Sequence, residues 1–145
     1  MGCVRMSERH LHNDPPTAEE LKECAEDVRT LLAPVRAAID VSKARCVVGL
    51  AGTVTALSAM QLGLARYDAA RTHHSRLSTT QVSALCARLA GATVVERRTL
   101  LVDPARAEVI VGGALVLSTL LSELGVSELL VSERDILDGL AASLL

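Results

Sequence analysis

Gly49-Leu50-Ala51-Gly52-Thr53-Val54-Thr55 follows directly on the β-branched run Arg45-Cys46-Val47-Val48 and leads into Val54, Leu57, Met60 and Leu64 at helical spacing. The succession is strand, glycine-bearing turn, helix. Closely spaced glycines let the backbone approach a ligand, and the N–H groups that open the next helix point their dipole at an anion. A phosphate is therefore the ligand this turn suits. Gly49 and Gly52 would give access, and the Thr53 hydroxyl would cap the helix or donate to a phosphate oxygen. The turn is neither G-x-G-x-x-G nor a Walker A loop, and no Lys stands at the required place. A purely structural strand-to-helix turn accounts for it equally well.

On the N-terminal side, residues 1–16 show no helical periodicity and end in Asp14-Pro15-Pro16, which stops regular structure. Thr17-Ala18-Glu19-Glu20 then reads as a capping box. Leu21, Ala25, Val28, Leu32 and Val35 line one helical face, which Pro34 should end or kink. On the C-terminal side, residues 67–77 are polar and irregular. Helices are expected over 79–89, 94–101 and from Pro104 onward. In the last of these Asp103 is the N-cap, Pro104 sits at N1, and Ile110, Ala114, Leu117, Leu121 and Leu124 form the buried stripe. Gly125 closes it as a C′ residue. Leu129-Leu130-Val131 is a second short strand, followed by a helix over 133–144. Such a chain is helix-rich α/β with very few strands, too few for a comfortable sheet. With that abrupt N-terminus, an incomplete unit is expected.

The 145 residues carry a net charge of −2, half of them are hydrophobic, and a single Tyr is the only aromatic. The core must be Leu, Val, Ile and Ala. Near-neutral charge and no base-stacking surface argue against a nucleic-acid partner. No apolar segment suits a signal peptide or a membrane span, so no membrane partner is expected and the cytoplasm is the expected compartment. The four cysteines lie more than 20 residues apart, and buried reduced thiols are the plain reading.

Other residues invite chemistry. Arg106, at N3 of the helix from Pro104, meets the positive end of a macrodipole, which a bound phosphate would offset through a charge-assisted contact. The competing reading is a local pair with Asp103 or Glu108. Gly112 and Gly113 permit close helix packing. His10-Leu11-His12-Asn13-Asp14 is part of a metallo-hydrolase pattern, but Pro15 stands where a further His is needed, so no metal ligand is assigned. Glu96-Arg97-Arg98 is most simply a solvated face.

Taken in order, Gly2-Cys3-Val4-Arg5-Met6-Ser7-Glu8, Asp14-Pro15-Pro16-Thr17, Gly49–Leu57, Leu62-Gly63-Leu64-Ala65-Arg66-Tyr67-Asp68, Glu96-Arg97-Arg98, Ala105–Ala114 and Leu130-Val131-Ser132-Glu133 resemble the exopolyphosphatase/guanosine-pentaphosphate phosphohydrolase (Ppx/GppA) family. The resemblance implies a ribonuclease-H-like lobe of the actin, sugar kinase and chaperone ATPase type. It covers residues 1–145 as the second, C-terminal lobe of the catalytic module, with the first lobe absent. It also implies release of terminal phosphate from inorganic polyphosphate or guanosine pentaphosphate. The family's D-x-G-S-N loop, catalytic Glu and D-x-G-G-G-S loop lie in the part not present, as do most Mg²⁺ contacts, so no catalytic residue is assigned here. This lobe would contribute Gly49, Gly52, Thr53 and Arg106 to phosphate binding, with His73 a further candidate because the family places a His-containing segment near the cleft. Where many relatives read R-E-G, this chain has Leu137-Asp138-Gly139. The missing lobe is the expected partner, a homodimer is left open, and a non-catalytic polyphosphate- or nucleotide-binding module is the alternative.

Overall fold

The computed structural model describes residues 1–144, apart from the Ser42 side chain. In chain order these form α1 (Cys3–His10), α2 (Ala18–Ala38), β1 (Val48–Leu50), α3 (Gly52–Gln61), α4 (Ala69–Thr72), β2 (Arg76–Ser78), α5 (Thr79–Ala90), α6 (Val94–Leu100), α7 (Ile110–Glu123), β3 (Glu128–Ser132) and α8 (Ile136–Ala142), with 3₁₀ turns at Val41–Lys43 and Pro104–Arg106. The strands make one sheet of order β1-β3-β2. β1 runs parallel to β3, with Val48 opposite Leu130, and β2 runs antiparallel to it, with Leu77 opposite Leu129. The helix-rich α/β class expected from the sequence is what the chain adopts.

Local chemistry explains most boundaries. Thr17 and Glu20 close a reciprocal capping box on α2: the Glu20 N–H donates to Thr17 Oγ1 at 3.2 Å, and the Thr17 N–H donates to Glu20 Oε2 at 2.7 Å. Ser78/Gln81, Thr93/Glu96 and Asp135/Asp138 repeat the device on α5, α6 and α8. Gly63 and Gly125, at φ of 61° and 64°, end α3 and α7 in the left-handed conformation, as Gly125 was expected to do.

The core has two parts. Leu57, Leu77, Val82, Leu89, Ile110, Leu121, Leu129 and Val131 fill the space between α3, α5, α7 and the sheet. Met6, Cys24, Val28 and Leu32 join α1 and α2 to α7. α7 is the common support, with α1, α2, α3 and α5 all packed on it. Its two glycines make this possible. A Cβ at Gly112 would meet the Cys3 carbonyl oxygen at 3.0 Å, and one at Gly113 would meet Cys3 Cβ at 3.0 Å and crowd Thr53.

Several sequence expectations need correction. Residues 3–10 are helical: α1 sinks only Met6 and Ser7, too few positions to leave a periodic signature. Pro34 does not end α2, which continues to Ala38; the Thr30 carbonyl that loses its donor lies on an exposed turn. Val35 is 43% exposed and lies outside the buried face. Residues 67–77 are not wholly irregular, since they hold α4 and β2, whose three-residue strand buries only Leu77. No single helix starts at Pro104. Asp103 caps a 3₁₀ turn, and the Ala107 carbonyl accepts from Arg97 Nη1 at 3.4 Å instead of from the helix ladder, so α7 begins at Ile110. The last helix is shorter than expected, Ile136–Ala142. Of the cysteines, Cys24 and Cys86 are buried, and desolvation pushes both thiols up to about 11, but Cys46 is exposed and Cys3 only half-buried. Among the described residues no helix is long and apolar enough to cross a membrane.

Candidate functional site

β1 and β3 are parallel neighbours, with Leu50 opposite Ser132. Their C-terminal ends therefore sit side by side, the place where open α/β sheets bind ligands. Ala51-Gly52 leaves the end of β1, and Glu133 leaves the end of β3. Both border a cavity of about 440 Å³ that is also lined by Thr55, Tyr67, Asp103, Arg106 and Asp135.

Ala51 has φ 71° and ψ 174°, a conformation that side chains rarely tolerate. This kink turns the chain from strand to helix within one residue. Ala51 offers no side-chain cap, so the first N–H groups of α3 are directed outward without the carboxylate or hydroxyl that serves α2, α5, α6 and α8. The Arg106 guanidinium lies directly over Gly52: a Cβ there would stand 2.5 Å from Nη2 and nearer still to Nη1 and Cζ. Arg106 Nε is paired with Asp103 at 3.2 Å, and its side chain remains 41% exposed. Helix amides, a positive dipole end and a guanidinium thus converge on one point, the arrangement that binds an anion.

The sequence-derived candidates fall into three groups. Gly52 and Arg106 are brought together at the cavity, although Arg106 ends the 3₁₀ turn instead of occupying N3 of a long helix. The local pair with Asp103 and the seat on Gly52 coexist. Gly49 and Thr53 face elsewhere. A Cβ at Gly49 would meet Leu129 Cδ1 at 2.5 Å and Val54 Cγ1 at 3.0 Å, so that glycine serves core packing. The Thr53 side chain packs toward Gly113 of α7, and its backbone alone stays at the helix start. The buried hydroxyl bordering the cavity is that of Thr55. His73 stands behind the wall: its Nδ1 accepts the Glu133 N–H at 3.2 Å, and its ring stacks on His74 at 3.8 Å.

Sequence reasoning missed Tyr67, Thr55, Asp103, Glu133 and Asp135 as cavity residues. Tyr67 donates its hydroxyl to Glu133 at 2.5 and 2.6 Å, and the fully buried Thr72 donates to the same carboxylate. Burial, and then the Glu133 carboxylate, push the Tyr67 phenol above its ordinary value. Asp135 caps α8 through the Leu137 N–H at 2.8 Å. The signal for Glu133 was its position directly after a short apolar strand parallel to the one that leads into Gly52.

The residues of the H-x-H-x-D stretch disperse. His10 reaches Asp27 at 2.9 Å, Asp14 accepts the Val94 N–H that opens α6, and the His12 N–H donates to Glu20. Among the described residues no group of three or more His, Cys, Asp or Glu side chains is placed to hold a metal. Arg97 is not on a solvated face: it is 2% exposed, donates to the Leu89 carbonyl at 2.8 Å, and burial lowers its pKa. Arg98 does face solvent, pairing with Glu108 at 3.3 Å.

Comparison with known proteins agrees with this architecture. The Ppx/GppA phosphatase family profile matches residues 1–145. Exopolyphosphatase 2 of Mycobacterium tuberculosis is 46% identical over 149 aligned residues, which cover 99% of this chain and 47% of that protein. The crystal structure of an exopolyphosphatase-like protein superposes with a TM-score of 0.93 at 33% identity, over 99% of this chain and 48% of that one. The Aquifex aeolicus Ppx/GppA phosphatase, type II variant, gives 0.89 at 28% identity, over 98% and 46%. The chain therefore spans about half the length of the relatives it matches. In sequence and in fold alike, the chain belongs to the Ppx/GppA phosphatase family.

Proposed function

We propose that this chain is one part of a phosphoanhydride hydrolase that releases terminal phosphate from inorganic polyphosphate or guanosine pentaphosphate, and that it contributes the wall of the cleft which grips a phosphate. The observation that carries this reading is the Arg106 guanidinium lying over Gly52, at the uncapped start of α3. Phosphoryl-transfer sites work mainly by positioning and charge stabilisation, and this wall can do both. The amides of Gly52 and Thr53 would fix one phosphate, while Arg106, aimed by Asp103, would balance its charge.

Residues that would activate a water are expected in the other half of such an enzyme, together with most contacts to Mg²⁺, which would neutralise charge on the phosphate chain when bound. The three carboxylates that border this cavity do not fit a Mg²⁺ site. Glu133 is held by Tyr67 and Thr72, Asp103 by Arg106 and the Ala105 N–H, and Asp135 caps α8. A cytoplasmic location suits polyanionic substrates of this kind. The alternative, a binding module without catalysis, shares the same phosphate grip and differs only in whether a complementary lobe adds turnover.

The test is titration of the isotopically labelled chain with inorganic tripolyphosphate, followed through its amide resonances. Gly52, Thr53 and Val54 amides should shift on saturation, and Arg106→Ala should weaken binding. An unresponsive α3 start would overturn the reading. The chain alone should release no phosphate from polyphosphate; clear turnover would mean that catalytic residues lie within it.

A further inference from the structure

Beyond the phosphate grip, the cavity has an unusual charge balance. Its lining holds three carboxylates, Asp103, Glu133 and Asp135, against the single guanidinium of Arg106. Asp103 is neutralised by Arg106 at 3.2 Å, which leaves Glu133 and Asp135, just beyond the end of β3, to set the charge of the rest of the lining. A polyphosphate chain carries about one negative charge for every phosphate. Running it past Glu133, which is half-buried, would bring like charges together where water screens only in part; Asp135, which is exposed, adds a weaker repulsion.

The remaining lining residues are uncharged. Ala56, Ala59, Val102 and the Tyr67 ring form an apolar surface beside Glu133. Glu133 Oε1 accepts from both Tyr67 and Thr72, and Oε2 accepts from Tyr67 alone. A carboxylate oxygen has room for a second donor, so Oε2 retains accepting capacity. The carboxylate is also held firmly: Tyr67 and Thr72 grip the head group, and His73 accepts its backbone N–H. It cannot turn away to lessen a clash with an anion without losing both hydroxyl bonds.

We infer that Glu133 is a specificity-determining residue: it keeps a phosphate chain out of the inner cavity and accepts hydrogen bonds from the hydroxyl or amino groups of an uncharged ring system attached to the phosphate. The ligand class that meets both ends is a nucleoside phosphate, with phosphate on the α3 amides and Arg106 and the sugar and base over Ala56, Ala59, Val102 and Tyr67. This rests on the phosphate grip proposed above and adds a choice between its two candidate substrate classes.

Calorimetric titration of the chain with guanosine 5′-triphosphate and with inorganic tripolyphosphate compares ligands of equal phosphate count. The nucleotide should bind at least about fivefold more tightly, the scale of one unfavourable charge contact in a part-exposed site. Glu133→Gln keeps one acceptor oxygen and removes the charge, so tripolyphosphate should tighten severalfold and the preference should shrink. Asp135→Asn, which preserves the α8 cap, should act in the same direction and serves if the Glu133 variant folds poorly. Arg106→Ala should weaken both ligands together. Equal or tighter binding of tripolyphosphate by the unaltered chain, or a preference untouched by both carboxamide variants, overturns the role of Glu133. Indifference of both ligands to Arg106→Ala, or failure of both to bind, overturns the phosphate grip itself.

Discussion

Replacing Gly52 by Ala tests the site at its tightest point. The new Cβ would stand 2.5 Å from Arg106 Nη2 and closer to Nη1 and Cζ. Ordinary contact needs about 3.5 Å or more, so the guanidinium must retreat by about 1.5 Å or swing away altogether. Because the obstacle is the far end of a flexible, 41%-exposed side chain, that retreat strains nothing in the core. Ala is also the better helix former, although at the first position of α3 its advantage is smaller than the about 1 kcal/mol of a helix interior. The fold should therefore hold, with a melting temperature equal to or slightly above that of the unaltered chain. Binding should suffer instead. Losing one charge-assisted hydrogen bond costs about 1.5–3 kcal/mol, a rise of about 10- to 150-fold in Kd. Since the substitution acts by displacing Arg106, Gly52→Ala and Arg106→Ala should not add: the double variant should bind tripolyphosphate as weakly as the poorer single one. Additive losses, or a Gly52→Ala chain that binds normally while Arg106→Ala does not, would refute the idea that this glycine exists to seat the guanidinium.

Gly49→Ala should behave in the opposite way, leaving the anion site intact but lowering stability by about 1–3 kcal/mol in urea unfolding, because its Cβ runs into Leu129 and Val54 of the core. Arg97→Lys should cost about 2–4 kcal/mol in the same assay, since an ammonium cannot serve the Leu89 and Ala107 carbonyls that the buried fork now reaches; an unchanged midpoint would show that the fork is dispensable. Ala51→Gly should raise the melting temperature, because relief of about 1–3 kcal/mol of backbone strain outweighs an entropic cost of about 0.5–1 kcal/mol. Glu20, held by the Thr17 N–H and then by the His12 and Asn13 N–H groups, has its pKa lowered from 4.5 to about 2. A depressed folded-state pKa means the carboxylate stabilises the fold fully above about 4.5 and loses that contribution as the pH falls through about 2. The gap in melting temperature between the unaltered chain and Glu20→Gln should close across that acid window, and a gap independent of pH would remove Glu20 from the acid response.

What was legible in the sequence followed the local rules. The Thr17/Glu20 cap, the turn at Gly52 and the close of α7 at Gly125 each depend on a few neighbouring residues, and the sequence displays those directly. What escaped depends on partners far along the chain. α1 is helical because Met6 and Ser7 find α7, about a hundred residues away. The helix expected at Pro104 is cut short because Arg97 holds the Ala107 carbonyl. The Gly-rich turn pointed to an anion, and the structure places Gly52 and Arg106 at one cavity; but Gly49 and Thr53 looked alike as letters and differ in direction, one facing Leu129 and the other Gly113. Glu133 and Tyr67, separated by 66 positions, form a pair only once β3 lies beside the end of β1.

The central place of α7 sets the order in which the molecule loosens. Four helices lean on it, and its buried face includes Ile110, Val111, Ala114 and Leu121, so its amides open to solvent only when the whole unit gives way. α8 stands at the other extreme: it buries no residue, and Ile136 is 83% exposed. Deuterium should therefore reach α8 first and α7 last, a gradient running from the rim of the cavity to its foundation.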